Sequence, residues 1–193
     1  MRADPEPLGL SRHVPGLALE WQATTPGEQF KIIEGSLLFG DISGFTALAE
    51  RLAQQGRRGG EELVSTLGHV FASMLDAAAA RGGDMLKFGG DALLLFFQGP
   101  HHAEHAASTA VAMRQILKDA ASIRTSVGPL KLSMSIGIHS GGVHFFLVGS
   151  SHRELIVTGP VVDRVIELEN TAVAGEVIIS DATAKLLPTD ASR

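Results

Sequence analysis

The chain has 193 residues, 45% of them apolar, and a formal net charge of −5, which suits one domain with a single core and excludes disorder away from the ends. No Lys/Arg block interleaved with aromatics occurs, so nucleic-acid binding is disfavoured, and a polyphosphate ligand would need metal ions or oriented backbone N–H groups to offset the acidic surface. Cysteine is absent, so there is no disulfide framework or zinc–thiolate site, and the expected setting is the cytoplasm.

The apolar runs are short. Neither Ala92 to Phe97 nor Val143 to Val148 approaches the roughly 20 residues of a membrane span. Asp4, Pro5, Glu6 and Pro7 give no apolar leader. Residues 1–30 read as an arm packing through Val14, Leu17, Leu19 and Trp21, and residues 31–190 as the main folded domain. Gly35 to Ile42 reads as a buried strand, broken by Ser43-Gly44. Phe45 to Gln54 starts a helix, and a longer one runs from Gly60 to Ala80 with Leu63, Leu67, Val70, Phe71, Met74 and Leu75 on one stripe. Asp84 to Phe88 and Asp91 to Gln98 read as a hairpin linked by Gly89-Gly90. Residues 101–122 form a helix. Lys131 to His139 and Gly142 to Val148 read as a second hairpin turning at Ser140-Gly141. A strand over Glu154 to Thr158, a helix from Pro160, a strand over Glu176 to Ser180 and a short helix capped by Asp181 complete the chain. The order predicts an α+β fold with a ferredoxin-like antiparallel sheet covered by helices.

Two acids stand at special places. Asp41 ends a buried strand, and Asp91 follows the Gly-Gly link. Singly, each reads equally well as a cap or a turn residue. If the hairpin lies beside the first strand, the two carboxylates converge, and such a pair holds hard dications. Ser43-Gly44 before a helix offers free N–H groups to phosphate oxygens. His101, His102 and His105, with Glu104 between, lack zincin spacing and read as a solvated surface. His139 and His144 read as strand-end residues. No phosphate-binding loop ending in Lys-Ser/Thr occurs.

Phe39-Gly-Asp41-Ile42-Ser-Gly44-Phe45-Thr46 and Lys87-Phe-Gly-Gly90-Asp91 resemble the two metal-binding signatures of class III nucleotidyl cyclases. Ser135 to Gly142 and Ile156 to Gly159 are similar to two further landmarks, and the likeness is closest to the first catalytic half of soluble, bicarbonate-responsive adenylyl cyclases. The resemblance implies that Asp41, Asp91 and the Ile42 carbonyl bind two Mg²⁺ or Mn²⁺ ions. It places Ser43, Gly44, Phe45, Thr46, Lys87 and Gly90 at the substrate, ATP or GTP. It implies a homodimer or a complementary cyclase half, while the charge pattern and the short apolar runs lead to no expectation of a nucleic-acid or membrane partner.

Some positions depart from the pattern. Asp163 and Glu167 stand where the complementary half would carry Asn and Arg. Ile156 stands at the base-reading position, and Gly142 where some relatives place a phosphate-binding Arg. Lys87 and Val157 match a bicarbonate pocket whose Arg is replaced by Ile166, so little bicarbonate stimulation is expected. Two competing readings follow: a diguanylate cyclase, opposed by Ala92 where a Glu is required, and a silent cyclase-like domain that binds nucleotide or dimerises in a regulatory role.

Overall fold

Fourteen residues of extended chain, Phe30–Ser43, form the central strand β1 in the computed structural model, which describes residues 14–150 and 153–188. On one side β1 pairs antiparallel with β3 (Ala92–Gln98), which pairs in turn with β2 (Gly83–Gly89). On the other side it pairs antiparallel with β6 (Ser133–Val148). The far edge of β6 carries β7 (Glu154–Thr158), antiparallel, and β8 (Val177–Ile179), parallel. The expected α+β architecture is therefore present, as a sheet of order β2-β3-β1-β6-β7 with β8 beside β6.

The second hairpin is not. Gly142 to Val148 continues straight on from Lys131 to His139, and Ser140 and Gly141 face Ser36 and Gly35 of β1 as ordinary rungs. Ser-Gly-Gly marks a turn in isolation, but here the absent side chains serve close approach. A Cβ on Gly142 would lie 2.9 Å from Ile32 Cγ2, and one on Gly141 would lie 3.2 Å from Val161 Cγ2. A small hairpin, β4 (Arg124–Thr125) and β5 (Gly128–Pro129), was not expected from the sequence.

Alternation along the strands sorts side chains to two apolar layers. Leu38, Ile42, Leu93, Leu95, Phe97, Met134, Ile136 and Ile138 face one side. There they pack under α2 (Phe45–Ala53), α3 (Arg57–Ala79) and α4 (His102–Ala120). The predicted stripe of α3 holds: Leu67, Val70 and Met74 are buried, with Leu63, Phe71 and Leu75 packed against them. Leu37, Leu94, Phe96, Val143, Phe145 and Leu147 face the other side, under α1 (Gly16–Thr24) and α5 (Pro160–Thr171).

The arm docks in part as expected. Leu17 and Trp21 are buried, but Val14 and Leu19 are exposed: helical spacing places 17, 18 and 21 on one face and turns 19 away, and Val14 precedes the helix. Residues 1–13 of that arm lie outside the described residues. The Asp84 carboxylate on β2 caps α1, accepting from the N–H groups of Gly16 (2.8 Å) and Leu17 (2.7 Å). At the C-terminal end, Ser180 rather than Asp181 caps α6 (Asp181–Ala184). Its hydroxyl accepts from the Thr183 N–H, and Asp181 is the first helical residue.

α5 approaches β6 closely at Gly137. A Cβ there would lie 2.5 Å from the Val165 carbonyl oxygen and 2.6 Å from the Glu169 nitrogen. Only glycine lets backbone meet backbone at this crossing.

Candidate active site

Asp41 lies two residues before the end of β1, opposite Ala92 of β3 and Ser135 of β6. It shares a face with Leu37 and Phe39, the face that carries α1 and α5. Asp91 reaches it through the hairpin. The last rung of that hairpin is Gly89 with Ala92, so the two-residue link is Gly90-Asp91, one position later than expected. Gly90 turns the chain with φ +77, a conformation that L side chains resist. Asp91 thus sits in the turn itself. The Ile42 N–H donates to the Asp91 carbonyl at 3.0 Å, fastening the turn to the end of β1. In extended backbone the N–H and C=O of one residue point the same way, so the Ile42 carbonyl also faces the hairpin.

The two carboxylates repel one another. Burial holds the Asp41 carboxyl above its ordinary range, and the charges of Asp91 and Glu169 push in the same direction. Among the described residues neither Asp41 nor Asp91 is ion-paired; the four pairs are Lys31–Glu28, Arg57–Glu61, His101–Glu104 and Arg164–Glu167. Half-buried acids without a cation are the donor set that hard dications satisfy. Among the described residues no group of three or more His, Asp or Glu side chains gathers at metal-binding distance. An ion on this pair would complete its shell with a backbone carbonyl, water and oxygens of a ligand, as Mg²⁺ ordinarily does.

Beside the acids, Ser43 and Gly44 lead into α2. Gly44 has φ +92, and a Cβ on it would lie 2.4 Å from the Lys131 carbonyl oxygen, so both conformation and space require glycine. α2 has no side-chain cap and no acid in its first turn. The first N–H groups of the helix, at Phe45 and Thr46, therefore make no intrahelical bond and favour an anion.

Lys87 projects from the exposed part of β2, opposite Leu94. It lines a cavity of ≈ 400 Å³ with Pro15, Ala18, Phe88, Arg153 and Leu155. Neither Val157 nor Ile166 lines that cavity: Val157 packs under the α1 layer, and Ile166 is exposed on α5. Asp163 and Glu167 are also exposed on α5, Glu167 paired with Arg164 at 2.9 Å. Ile156 lies on β7 opposite Phe146, more than a third exposed.

Sequence reasoning missed Glu169. It is 8% exposed and accepts from the Ser135 hydroxyl at 2.6 Å, and Ser135 is the cross-strand neighbour of Asp41. The signal was available, because 161, 165, 168 and 169 form the buried stripe of α5 and an acid on such a stripe requires a partner. His102, expected on a solvated surface, is half-buried and hydrogen-bonded to Ser36 at 2.8 Å.

A family model described as "Adenylate and Guanylate cyclase catalytic domain" matches residues 30–193. Adenylate cyclase type 10 of Homo sapiens is 30% identical over 176 residues, which cover 89% of this chain and 11% of that protein. The chain thus spans about a tenth of the length of this relative. Among solved structures, the adenylyl cyclase CyaB from P. aeruginosa is similar, with 28% identity and a TM-score of 0.68 over 82% of each chain. So is the catalytic core of a rhodopsin-guanylyl cyclase with converted specificity, in complex with ATPalphaS, at 25% identity and a TM-score of 0.69 over 83% of this chain and 85% of that one.

Proposed function

Because the chain belongs to the family of adenylate and guanylate cyclase catalytic domains, we propose that it supplies the metal-binding half of a nucleotidyl cyclase site that converts ATP to cyclic AMP and pyrophosphate. One observation carries this reading: Asp41 and Asp91 converge without a cation beside the uncapped start of α2. Asp41 and Asp91, with the Ile42 carbonyl, would hold two Mg²⁺ or Mn²⁺ ions. When bound, such ions activate an attacking oxygen and neutralise charge on the leaving group in phosphoryl transfer. The N–H groups from Ser43 to Thr46 orient the triphosphate so that the ribose 3′-oxygen lies in line with the α-phosphate. Gly90, whose φ of +77 sets the hairpin turn, would stand beside the phosphates.

The complementary half is a separate matter. Asp163 and Glu167 would face a polyphosphate with negative charge, and Ile156 has no group to read a base. These residues support dependence on a second, different cyclase domain, which would also decide between ATP and GTP. The same residues favour the second reading, a silent domain with a regulatory role.

The test is direct. The chain is incubated with ATP or GTP and Mn²⁺ or Mg²⁺, alone and with a complementary half, and cyclic nucleotide is measured by mass spectrometry. The expected result is little product alone and robust product with the partner, cut by at least about a hundredfold in Asp41→Ala. Robust turnover by the chain alone would remove the partner requirement. No product in any pairing would leave the silent reading.

A further inference from the structure

Six polar side chains form one continuous chain across the middle of the β1–β6 pairing, five residues along β1 from Asp41. His102 Nδ1 meets Ser36 Oγ at 2.8 Å, and Ser36 Oγ meets Ser140 Oγ at 2.7 Å. Ser140 Oγ meets Thr183 Oγ1 at 3.0 Å, Thr183 Oγ1 meets Ser180 Oγ at 3.1 Å, and Ser180 Oγ meets His139 Nδ1 at 2.7 Å. All four hydroxyl residues are buried, between 0% and 5% exposed. The chain joins α4, β1, β6 and α6.

Proton counting constrains this arrangement. Five contacts need five protons, and each hydroxyl brings one, so four hydroxyls fall one short. The remaining proton must come from an imidazole Nδ1–H. If both histidines were the Nε2–H tautomer, one buried contact would be two lone pairs facing each other. If one is Nδ1–H, all five bonds are filled and point away from it. If both are Nδ1–H, a sixth proton must leave the chain. Its only recorded exit among the described residues is Thr183 Oγ1 to the Ile138 carbonyl at 3.4 Å, an oxygen that already accepts the Ser180 N–H at 3.0 Å.

We propose that His102 and His139 are the two ends of a proton-ordered latch, one held as the Nδ1–H tautomer and the other accepting at Nδ1, so that protonation of one end opposes protonation of the other. The donor imidazole takes an added proton at Nε2 and leaves the chain intact. The acceptor imidazole can take one only at Nδ1, which reverses the bonds next to it and drives a proton to the long Ile138 exit. Order along the chain is thus kept through the first protonation and lost at the second, loosening α6 from α4. The charged groups that bear on the two ends are Glu34 of β1 and His105 of α4 for His102, and Arg164 of α5 for His139. Asp181 follows Ser180 at the start of α6. Burial already lowers the proton affinity of both imidazoles.

The experiment is imidazole ¹⁵N and ¹³C NMR of the whole chain titrated between pH 8 and 5, for the wild type and for Ser140→Ala, which cuts the latch in the middle. The expected wild type has one Nδ1–H and one Nε2–H ring at pH 8, with two separated titrations. In Ser140→Ala the lower of the two rises by about half a unit or more. Two Nε2–H rings in the wild type, or unchanged titrations in the variant, would overturn the proposal. Thr183→Val, of similar volume, makes the same cut should Ser140→Ala not fold.

Discussion

Replacing Gly137 with alanine tests how α5 is set against the sheet. The added methyl would lie 2.5 Å from the Val165 carbonyl oxygen, 2.6 Å from the Glu169 nitrogen and 3.0 Å from Leu168 Cβ, where ordinary contact begins at 3.4 Å. Two of these neighbours are backbone, so no side chain can swing aside and the helix must rise by roughly 1 Å. Overpacking of this kind costs about 1–3 kcal/mol, offset by about 0.4–1 kcal/mol from the stiffer unfolded chain. The net loss of about 1–2 kcal/mol corresponds to a Tm lowered by roughly 2–8 °C for a domain of this size. The matched control is Gly68→Ala in α3, where nothing lies within 4 Å of the new methyl. There the same chemical change should raise stability by about 0.5–1 kcal/mol, because glycine is a poor residue inside a helix. Calorimetric melts of both variants beside the wild type decide it. If Gly137→Ala melts at or above the wild type, the close crossing is not rigid and Glu169 is not held at the site by it.

Three further outcomes are expected. Asp41 binds its proton more tightly in the fold than when unfolded, so its stabilising contribution is complete at low pH and is lost as pH rises through the raised folded value. Asp41→Asn should therefore melt higher than the wild type in EDTA at pH 7.5, with the gain shrinking toward pH 4, and added Mn²⁺ should raise the Tm of the wild type alone; an unchanged Tm at pH 7.5 counts against the strained acid pair. Asp84→Ala removes the cap that accepts from Gly16 and Leu17, which should cost about 1 kcal/mol and expose the Trp21 indole, read as a red shift in its fluorescence. The double change Asp163→Asn and Glu167→Arg should raise cyclic nucleotide output of the chain alone; no rise would remove these two acids as the reason for partner dependence.

Much of the fold was legible because apolar periodicity reports burial directly. The stripe of α3 and the Leu37-Leu38-Phe39 run placed a helix and the central strand without tertiary information. Turn signals were less dependable. Gly90-Asp91 and Ser140-Gly141 look alike locally, yet only the first turns, because the second pair is held extended by fourteen rungs against β1. Asp41 and Asp91 were legible as candidates, since a charge at the end of a buried run is costly without a purpose. Glu169 was legible only as an acid on the buried stripe of α5; its relation to Asp41 was not, because it passes through Ser135 and depends on where α5 crosses β6. The hydroxyl–imidazole chain was invisible for the same reason: Ser36 and Ser140 are 104 positions apart, and only the register of β1 and β6 brings them together.

The unbroken pairing of β1 with β6, from Phe30 with Phe146 to Ser43 with Ser133, makes a beam roughly 45 Å long at about 3.3 Å per rung. One end holds Asp41. The other holds the exposed Phe30 and Ile32, with Ile156 beside them on β7. A hairpin turn in β6 would have served as a hinge and isolated the two ends. Without it, the exposed apolar end and the acid end are the two ends of one continuously hydrogen-bonded ladder, so neither can bend away from the other without breaking rungs.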